Sequence, residues 1–210
     1  MEILSPAGSP EAVRAAVYAG ADAVYLGYGP FNARRNARNF NREELEEAIH
    51  LCHLYGVKVC LTLNTLASDR EVAQAAQVAV EASSLGVDAI LVQDMGLLQV
   101  VRKVAPDVHL HASTQMTIHN LDGVKRCADL GLTRAVLSRE LSAKEISYIC
   151  AHSPIEIETF VHGALCMCYS GQCFFSSVLG GRSGNRGLCA QPCRLSYGWK
   201  GKADRYPLSL

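Results

Sequence analysis

The sequence predicts an α/β fold of the TIM-barrel kind, a parallel (β/α)8 barrel with a cysteine-rich insertion after its seventh strand, and three observations carry that expectation. A phrase in which a helix-like segment stops at glycine and an apolar run follows recurs as YAGADAVYLG, SLGVDAILVQD and DLGLTRAVLSREL. The runs AVYL, AILV and AVL are continuously apolar, as strands buried on both faces are. Helix-start signals alternate with these runs at the regularity of β/α units.

Taken in order, strand one falls near residues 2–5, and Ser9-Pro10 then offers an N-cap with proline at the first helical position. Gly20 suits the left-handed position past that helix, and residues 22–27 form strand two. Asn41-Arg-Glu-Glu44, a loose capping box, opens a helix whose apolar stripe is Leu45, Ala48, Ile49, Cys52 and Tyr55, with strand three at 57–63. Ser68-Asp-Arg-Glu71 caps the next helix, Gly86 ends it, and strand four covers 88–93. Strand five lies near 108–112 and strand six near 134–138, after Gly131. Ser142-Ala-Lys-Glu145 opens the helix before strand seven at 155–161. RYPLSL is a candidate eighth strand without its helix, so the sequence reads as the first part of something longer. An open doubly wound sheet is the alternative, but it normally carries a G-x-G-x-x-G loop after an early strand, and the sequence has none.

A chain of 210 residues that is 49% apolar supports one sizeable domain, taken as residues 1–210 with a cysteine-rich segment at 162–205. MEILSPAGSPEA has no signal-peptide character, and no run approaches the roughly 18 apolar residues of a membrane span. A cytoplasmic protein without membrane contact is expected. In that compartment thiols stay reduced, so nine cysteines argue for metal binding or catalysis. The zero net charge hides an asymmetry, because from Phe160 onward Arg182, Arg186, Arg194, Lys200, Lys202 and Arg205 face one acid, Asp204. Such a segment is either a solvated face or the complement of an anionic partner.

In parallel barrels the loops after the strands converge on one mouth, where chemistry sits. Ser5 to Gly8, Asn64-Thr65, Gln93-Asp94, His111 to Gln115, Ser138-Arg139-Glu140 and Glu158 to Gly163 all fall at or beyond expected strand ends. Each has an ordinary reading too: Asn64 or Ser113 can cap a helix, and Arg139 and Glu140 can be a structural ion pair.

Five cysteines, Cys166, Cys168, Cys173, Cys189 and Cys193, share one short window. Paired C-x2-C knuckles, common in zinc ribbons, are absent, whereas four thiolates around iron and sulfide tolerate varied spacing; spacing alone leaves both metals open. The glycines between them free backbone N–H groups to turn toward sulfur. Cys168 stands two residues from Cys166 and is able to replace a ligand. Cys52, Cys60, Cys127 and Cys150 read as small buried hydrophobes.

The segment ETFVHGALCMCYSGQCFFSS, with Glu158, Phe160, His162, Gly163, Cys166, Gly171, Cys173 and Ser176, resembles the signature of the collagenase-like peptidases, peptidase family U-32. LTLNT, VQDMG, HASTQ, LSREL and GRSGNRGLCAQPCR extend the resemblance over essentially the whole chain. It implies a TIM-barrel-like domain holding a 4Fe-4S cluster on Cys166, Cys173, Cys189 and Cys193, although some relatives take the last ligand from further along the chain. The activity it implies is oxygen-independent hydroxylation: of a pyrimidine in rRNA to 5-hydroxycytidine, favoured through HASTQ and GRSGNRGLC, then of a tRNA uridine, or of a ubiquinone precursor. Peptidase activity is the alternative in the family's name, yet neither H-E-x-x-H nor G-x-S-x-G is present, and the thiols nearest His162 belong to the cluster set. An iron–sulfur partner subunit, or a homo-oligomer, is a further reading. Under the RNA reading, Arg34, Arg35, Arg38, Arg182, Arg186 and Arg194 meet RNA phosphates. His111, Gln115, Arg139 and Glu140 orient the base, Glu158 and His162 serve proton transfer or hydrogen bonding to a cluster sulfur, and prephenate or a similar small anion binds at the mouth.

Overall fold

The computed structural model describes residues 1–33, 38–163, 165–198 and 205–207. Strands and helices alternate as β1 (Leu4–Pro6), α1 (Pro10–Tyr18), β2 (Ala23–Gly27), α2 (Arg42–Leu54), β3 (Lys58–Leu63), α3 (Asp69–Leu85), β4 (Ala89–Val92), α4 (Met95–Val104), β5 (His109–Ala112), α5 (Leu121–Asp129), β6 (Arg134–Val136), α6 (Ala143–His152) and β7 (Glu156–Glu158). The sheet order is the chain order, every neighbour pairing is parallel, and the sheet curls as a barrel wall does. The expected caps are in place: Ser9 Oγ accepts from Ala12 N–H at 3.3 Å, and capping boxes join Asn41 to Glu44, Ser68 to Glu71 and Ser142 to Glu145. Gly20, Gly86 and Gly131 adopt φ of +85°, +95° and +78°, a region that side-chain-bearing residues avoid.

Alternation along each strand divides the buried residues. Leu26, Leu61, Leu63 and Ile90 face the helices and pack with Leu45, Leu97 and Leu98. Cys60, Ala89, Leu91 and Val136 face the lumen, with Leu4 and Tyr25. Burial pushes the Cys60 thiol up to about 12 and the Cys52 thiol to about 11, so both stay protonated, as small apolar residues. Cys127 is likewise buried, but Cys150 is exposed, contrary to its expected burial. Ile149 is the buried residue of α6, and Cys150 lies one residue, about 100° of helix, beyond it.

The lower, N-terminal half of the lumen is charged. Arg134, with a side chain 8% exposed, donates to Glu2 at 2.6 Å, to Glu156 at 2.6 and 2.8 Å, and to Glu158 at 3.5 Å. Burial opposes its charge, and Glu2 and Glu156 more than reverse that, raising its pKa. Glu158 is shifted up by burial despite Arg134. His111 points into this region, lining a cavity of about 670 Å³ with Glu2, Lys58, Cys60, Arg134 and Glu156.

The expected eighth strand takes another course. Within RYPLSL, Arg205–Pro207 (β9) pairs antiparallel with Ser196–Gly198 (β8), in a ribbon separate from the barrel sheet. Seven strands leave β1 and β7 with one neighbour each, and a slot of about 650 Å³ lies between these edges, lined by Leu4, Pro6, Ile157 and Glu158 among others. Ile3 O accepts from Ala23 N–H and Ala7 N–H donates to Tyr25 O, so Leu4 and Pro6 turn their backbone groups toward the slot. Glu156 and Glu158 bond to β6, which turns Ile157 the same way. Pro6 suits an edge, having no N–H to leave unpaired. Among the described residues, no helix is long and apolar enough to cross a membrane.

Burial, then Arg134, pushes the His111 pKa down from 6.5 to about 4. The unfolded chain therefore takes up a proton as pH falls through about 6.5, the fold only near 4, and stability is lost across that window, by about 3 kcal/mol once below it. Urea unfolding of His111→Gln beside the wild type should show the difference moving in the variant's favour by about that amount between neutral pH and pH 4.

Candidate functional site at the barrel mouth

After β7 the chain runs as a cysteine-rich strap over the C-terminal side of the barrel, seated at two points. At the first, Ser170, 1% exposed, donates from N–H and Oγ to Glu140 Oε1, both at 3.0 Å. Its Oγ accepts from Arg139 N–H at 3.4 Å, and its carbonyl accepts from Thr117 Oγ1 at 2.7 Å. Glu140 Oε2 also contacts His119 Nε2 at 3.1 Å. Thr117 holds φ +63°, uncommon for a β-branched residue, and its hydroxyl also accepts from Gln172 Nε2 at 3.0 Å. Gly171 has φ +76°, and a Cβ there would stand 2.2 Å from the Gln115 carbonyl oxygen, so only glycine permits the approach.

The second seat lies after β3. Leu66 N–H donates to Asn185 O at 3.0 Å, while Arg186 donates to Leu66 O at 2.9 Å and to both Glu71 carboxylate oxygens at 2.6 and 2.8 Å. The Arg186 guanidinium, then the Ser68 hydroxyl and N–H, hold Glu71 down to about 2. Between the seats, α7 (Phe175–Gly180) is tied by Ala190 N–H donating to the buried Ser176 Oγ at 2.9 Å.

The five cysteines all lie on the strap, where Cys168 neighbours Cys173 and Cys166, and Cys189 approaches Cys173 across Gly184. Arg139 Nη2 donates to Cys166 Sγ at 3.2 Å, and Gln191 N–H to Cys189 Sγ at 3.3 Å. Gly184 packs between Cys189 and Cys173, its Cβ direction 3.7 Å from Cys189 Cβ and 4.0 Å from the Cys173 carbonyl oxygen. Burial raises the Cys168 thiol, and its neighbours Cys173 and Cys166 add to the rise, so the cysteine left outside the ligand set lies between two members of it. Cys193 sits in the turn Pro192–Arg194. Sulfurs receiving N–H and guanidinium donors have the chemistry a thiolate-ligated centre requires. Among the described residues, no three metal-binding side chains are gathered as a metal ion would need.

Beneath the strap, the last lumen-facing residues of β3 to β6 form a neutral polar layer. Asn64 Nδ2 donates to Ser113 Oγ at 3.1 Å across β4, and Asn64 Oδ1 accepts from Ala33 N–H at 2.9 Å. Gln93 Oε1, Gln115 Oε1 and Ser138 Oγ are buried without a hydrogen-bond partner.

The structure divides the residues expected at the mouth. Gln115, Arg139 and Glu140 are there, with Arg139 also 5.7 Å from the Phe160 ring centroid. Glu140 is engaged by Ser170 and His119. His111 and Glu158 lie lower, with Arg134, because each precedes the mouth layer by one inward-facing position. His162 is exposed beside the β1–β7 slot. Of the expected phosphate contacts, Arg38 pairs with Glu44, Arg182 donates to Leu188 O at 3.1 Å, Arg194 donates to Leu165 O at 2.6 Å, and Arg186 is the strap's anchor. Arg34 and Arg35 lie outside the described residues. Sequence reasoning passed over Arg134 and Glu156; the signal was an arginine opening the apolar run RAV beside the alternating EIE. It also passed over the exposed Met167, Tyr169 and Phe174 of the strap.

A family model described as peptidase family U32 matches residues 8–208. A 23S rRNA 5-hydroxycytidine synthase of Escherichia coli is 43% identical over 205 residues, 98% of this chain and 31% of that protein. A tRNA hydroxylation protein of Bacillus subtilis is 39% identical over 196 residues, 93% of this chain and 46% of that protein. A protein named collagenase from Porphyromonas gingivalis is 38% identical over 224 residues, all of this chain and 53% of that protein. The chain thus spans about a third to a half of the length of these curated relatives. The solved structure of a U32 peptidase superposes with a TM-score of 0.63 at 17% identity, over 76% of this chain and 68% of that one, a likeness of fold.

Gly171→Ala should cost more than about 2 kcal/mol locally, through the left-handed φ and the backbone collision. Hydrogen exchange should quicken across residues 165–194 while the strands keep their protection. Arg186→Gln should quicken exchange at the second seat only.

Proposed function

This chain belongs to peptidase family U32, and from that premise we propose that it serves the iron–sulfur-dependent, oxygen-independent hydroxylation of a pyrimidine in RNA, with cytidine in rRNA ahead of uridine in tRNA. The observation that carries this reading is the seating of a cysteine-bearing strap over a neutral polar mouth. A metal centre and a nucleobase would then share one small space. The relatives named for rRNA and tRNA hydroxylation support the same class of substrate.

In this reading Cys166, Cys173, Cys189 and Cys193 hold a 4Fe-4S cluster, with Cys168 their nearest substitute. When bound, the cluster supplies electron transfer beside the substrate. The protein's own part is positional. Ser170 and Arg186 fix the strap, and the Arg139 guanidinium faces the Cys166 sulfur, where it tempers negative charge. Exposed Tyr169 and Phe174 offer faces on which unpaired bases stack, and the exposed Arg182 and Arg38 would meet phosphates while keeping their bonds to Leu188 O and Glu44. A base taken out of its stack enters the mouth, where the neutral layer binds it and the strap limits water. A small anion of the prephenate kind would find its cation in Arg139.

A peptidase is the second reading, favoured by the relative named collagenase. It would need a thiolate beside a base, and among the described residues His162 is exposed with no thiol in hydrogen-bond contact.

Anaerobically purified protein should be brown, with about four iron and four sulfide per chain. Cys173→Ser should bleach it, and Cys52→Ser should not. Deleting the gene should remove a hydroxylated pyrimidine from rRNA or tRNA, read by mass spectrometry of nucleosides. Colourless protein, or unchanged RNA together with collagen cleavage by the pure protein, would reverse the reading.

A further inference from the structure

We infer that Gln93 and Ser138 are the residues that read the hydrogen-bonding edge of the ligand in the mouth, an edge that is neutral and carries both donors and acceptors, as a pyrimidine base does; this rests on the function proposed above. Both follow the strands β4 and β6 by lumen-facing alternation, in the layer where Asn64 and Ser113 satisfy one another. Gln93 is 8% exposed and Ser138 2%, yet Gln93 Oε1 and Ser138 Oγ have no partner. Buried polar atoms are almost always paired, and leaving one unpaired costs more than replacing it by an apolar group of the same shape. Two such atoms in one layer, on the strands either side of β5 and its Ser113, under a strap seated by four hydrogen bonds at Ser170, mark groups held ready for something not yet bound.

The chemistry of the orphans defines what they take. Gln93 Oε1 is an acceptor and requires a donor, such as the exocyclic amine of cytosine or the ring N–H of uracil. Ser138 Oγ both donates and accepts, which suits a ring carbonyl or ring nitrogen. The layer of Asn64, Gln93, Ser113 and Ser138 holds no charge, whereas the paired charges of the lumen lie lower, around Arg134. Within this layer a charged ligand would meet no complement, the Arg139 guanidinium at the mouth being turned to the Cys166 sulfur, but a neutral ring would. Of the residues expected from sequence to orient the base, His111 lies beneath the layer and Glu140 is engaged by Ser170.

The test uses the full chain, purified without oxygen, and an oligoadenylate strand bearing one central cytidine, uridine or abasic residue. Wild-type protein should bind a pyrimidine strand about tenfold or more tightly than the abasic one, the scale of one well-made hydrogen bond to a buried site. Gln93→Met and Ser138→Ala should each reduce that preference, and the double variant should abolish it while binding the abasic strand unchanged. Melting temperatures should stay level or rise in all three variants, since each removes a buried orphan. A double variant that keeps the pyrimidine preference overturns the assignment of Gln93 and Ser138 and leaves the RNA reading standing, as does a wild type that binds pyrimidine and abasic strands alike. A wild type that binds none of the strands overturns both.

Discussion

The docking of Ser170 and Gly171 onto the loops after β5 and β6 is the constraint on which the site depends. Ser170 is tied through its N–H, its hydroxyl and its carbonyl, and Gly171 is pressed against a backbone oxygen that tolerates no Cβ. A segment rich in cysteine and glycine, with exposed apolar side chains, has little core of its own to order it. Its order comes from the barrel, through a carboxylate at each seat, Glu140 beneath Ser170 and Glu71 beneath the strap's Arg186. Glu140, Arg139 and Thr117 therefore matter as the strap's footing as well as lining the mouth.

Electrostatics divides the lumen into two storeys. Below, Arg134 gathers Glu2, Glu156 and Glu158 and links the chain's first residues to its sixth and seventh strands. Its full set of partners makes it structural, since removing one member of a buried charge group leaves the others uncompensated. Above, the layer under the strap is neutral and incompletely hydrogen-bonded. The lower storey leaves only His111 Nδ1 unpartnered among the described residues, whereas the upper leaves Gln93, Gln115 and Ser138 each with an unpaired oxygen.

The barrel was legible because each signal it uses is local. A cap, a glycine with positive φ and an apolar strand are decided within a few residues, and Ser9, Asn41, Ser68 and Ser142 start helices as their neighbours suggest. What the sequence left open was set by distant partners. His111 reads as a mouth residue because it closes a strand, and only the register shows that Ser113 stands above it. Arg186 looks like a surface cation until Glu71, far away in sequence, is placed beside it. Arg205–Pro207 has the pattern of a barrel strand and pairs instead with the neighbouring Ser196–Gly198, where chain closure is cheaper. Cys150 shows the limit of reading thiols as apolar, for its helix buries a narrower face than its composition suggests.

The slot between β1 and β7 makes the barrel wall adhesive. Leu4 and Ile157 present main-chain donors and acceptors from facing margins, with none of the lysines or bulges that blunt such margins elsewhere. An extended segment entering there would find backbone partners on both sides at once.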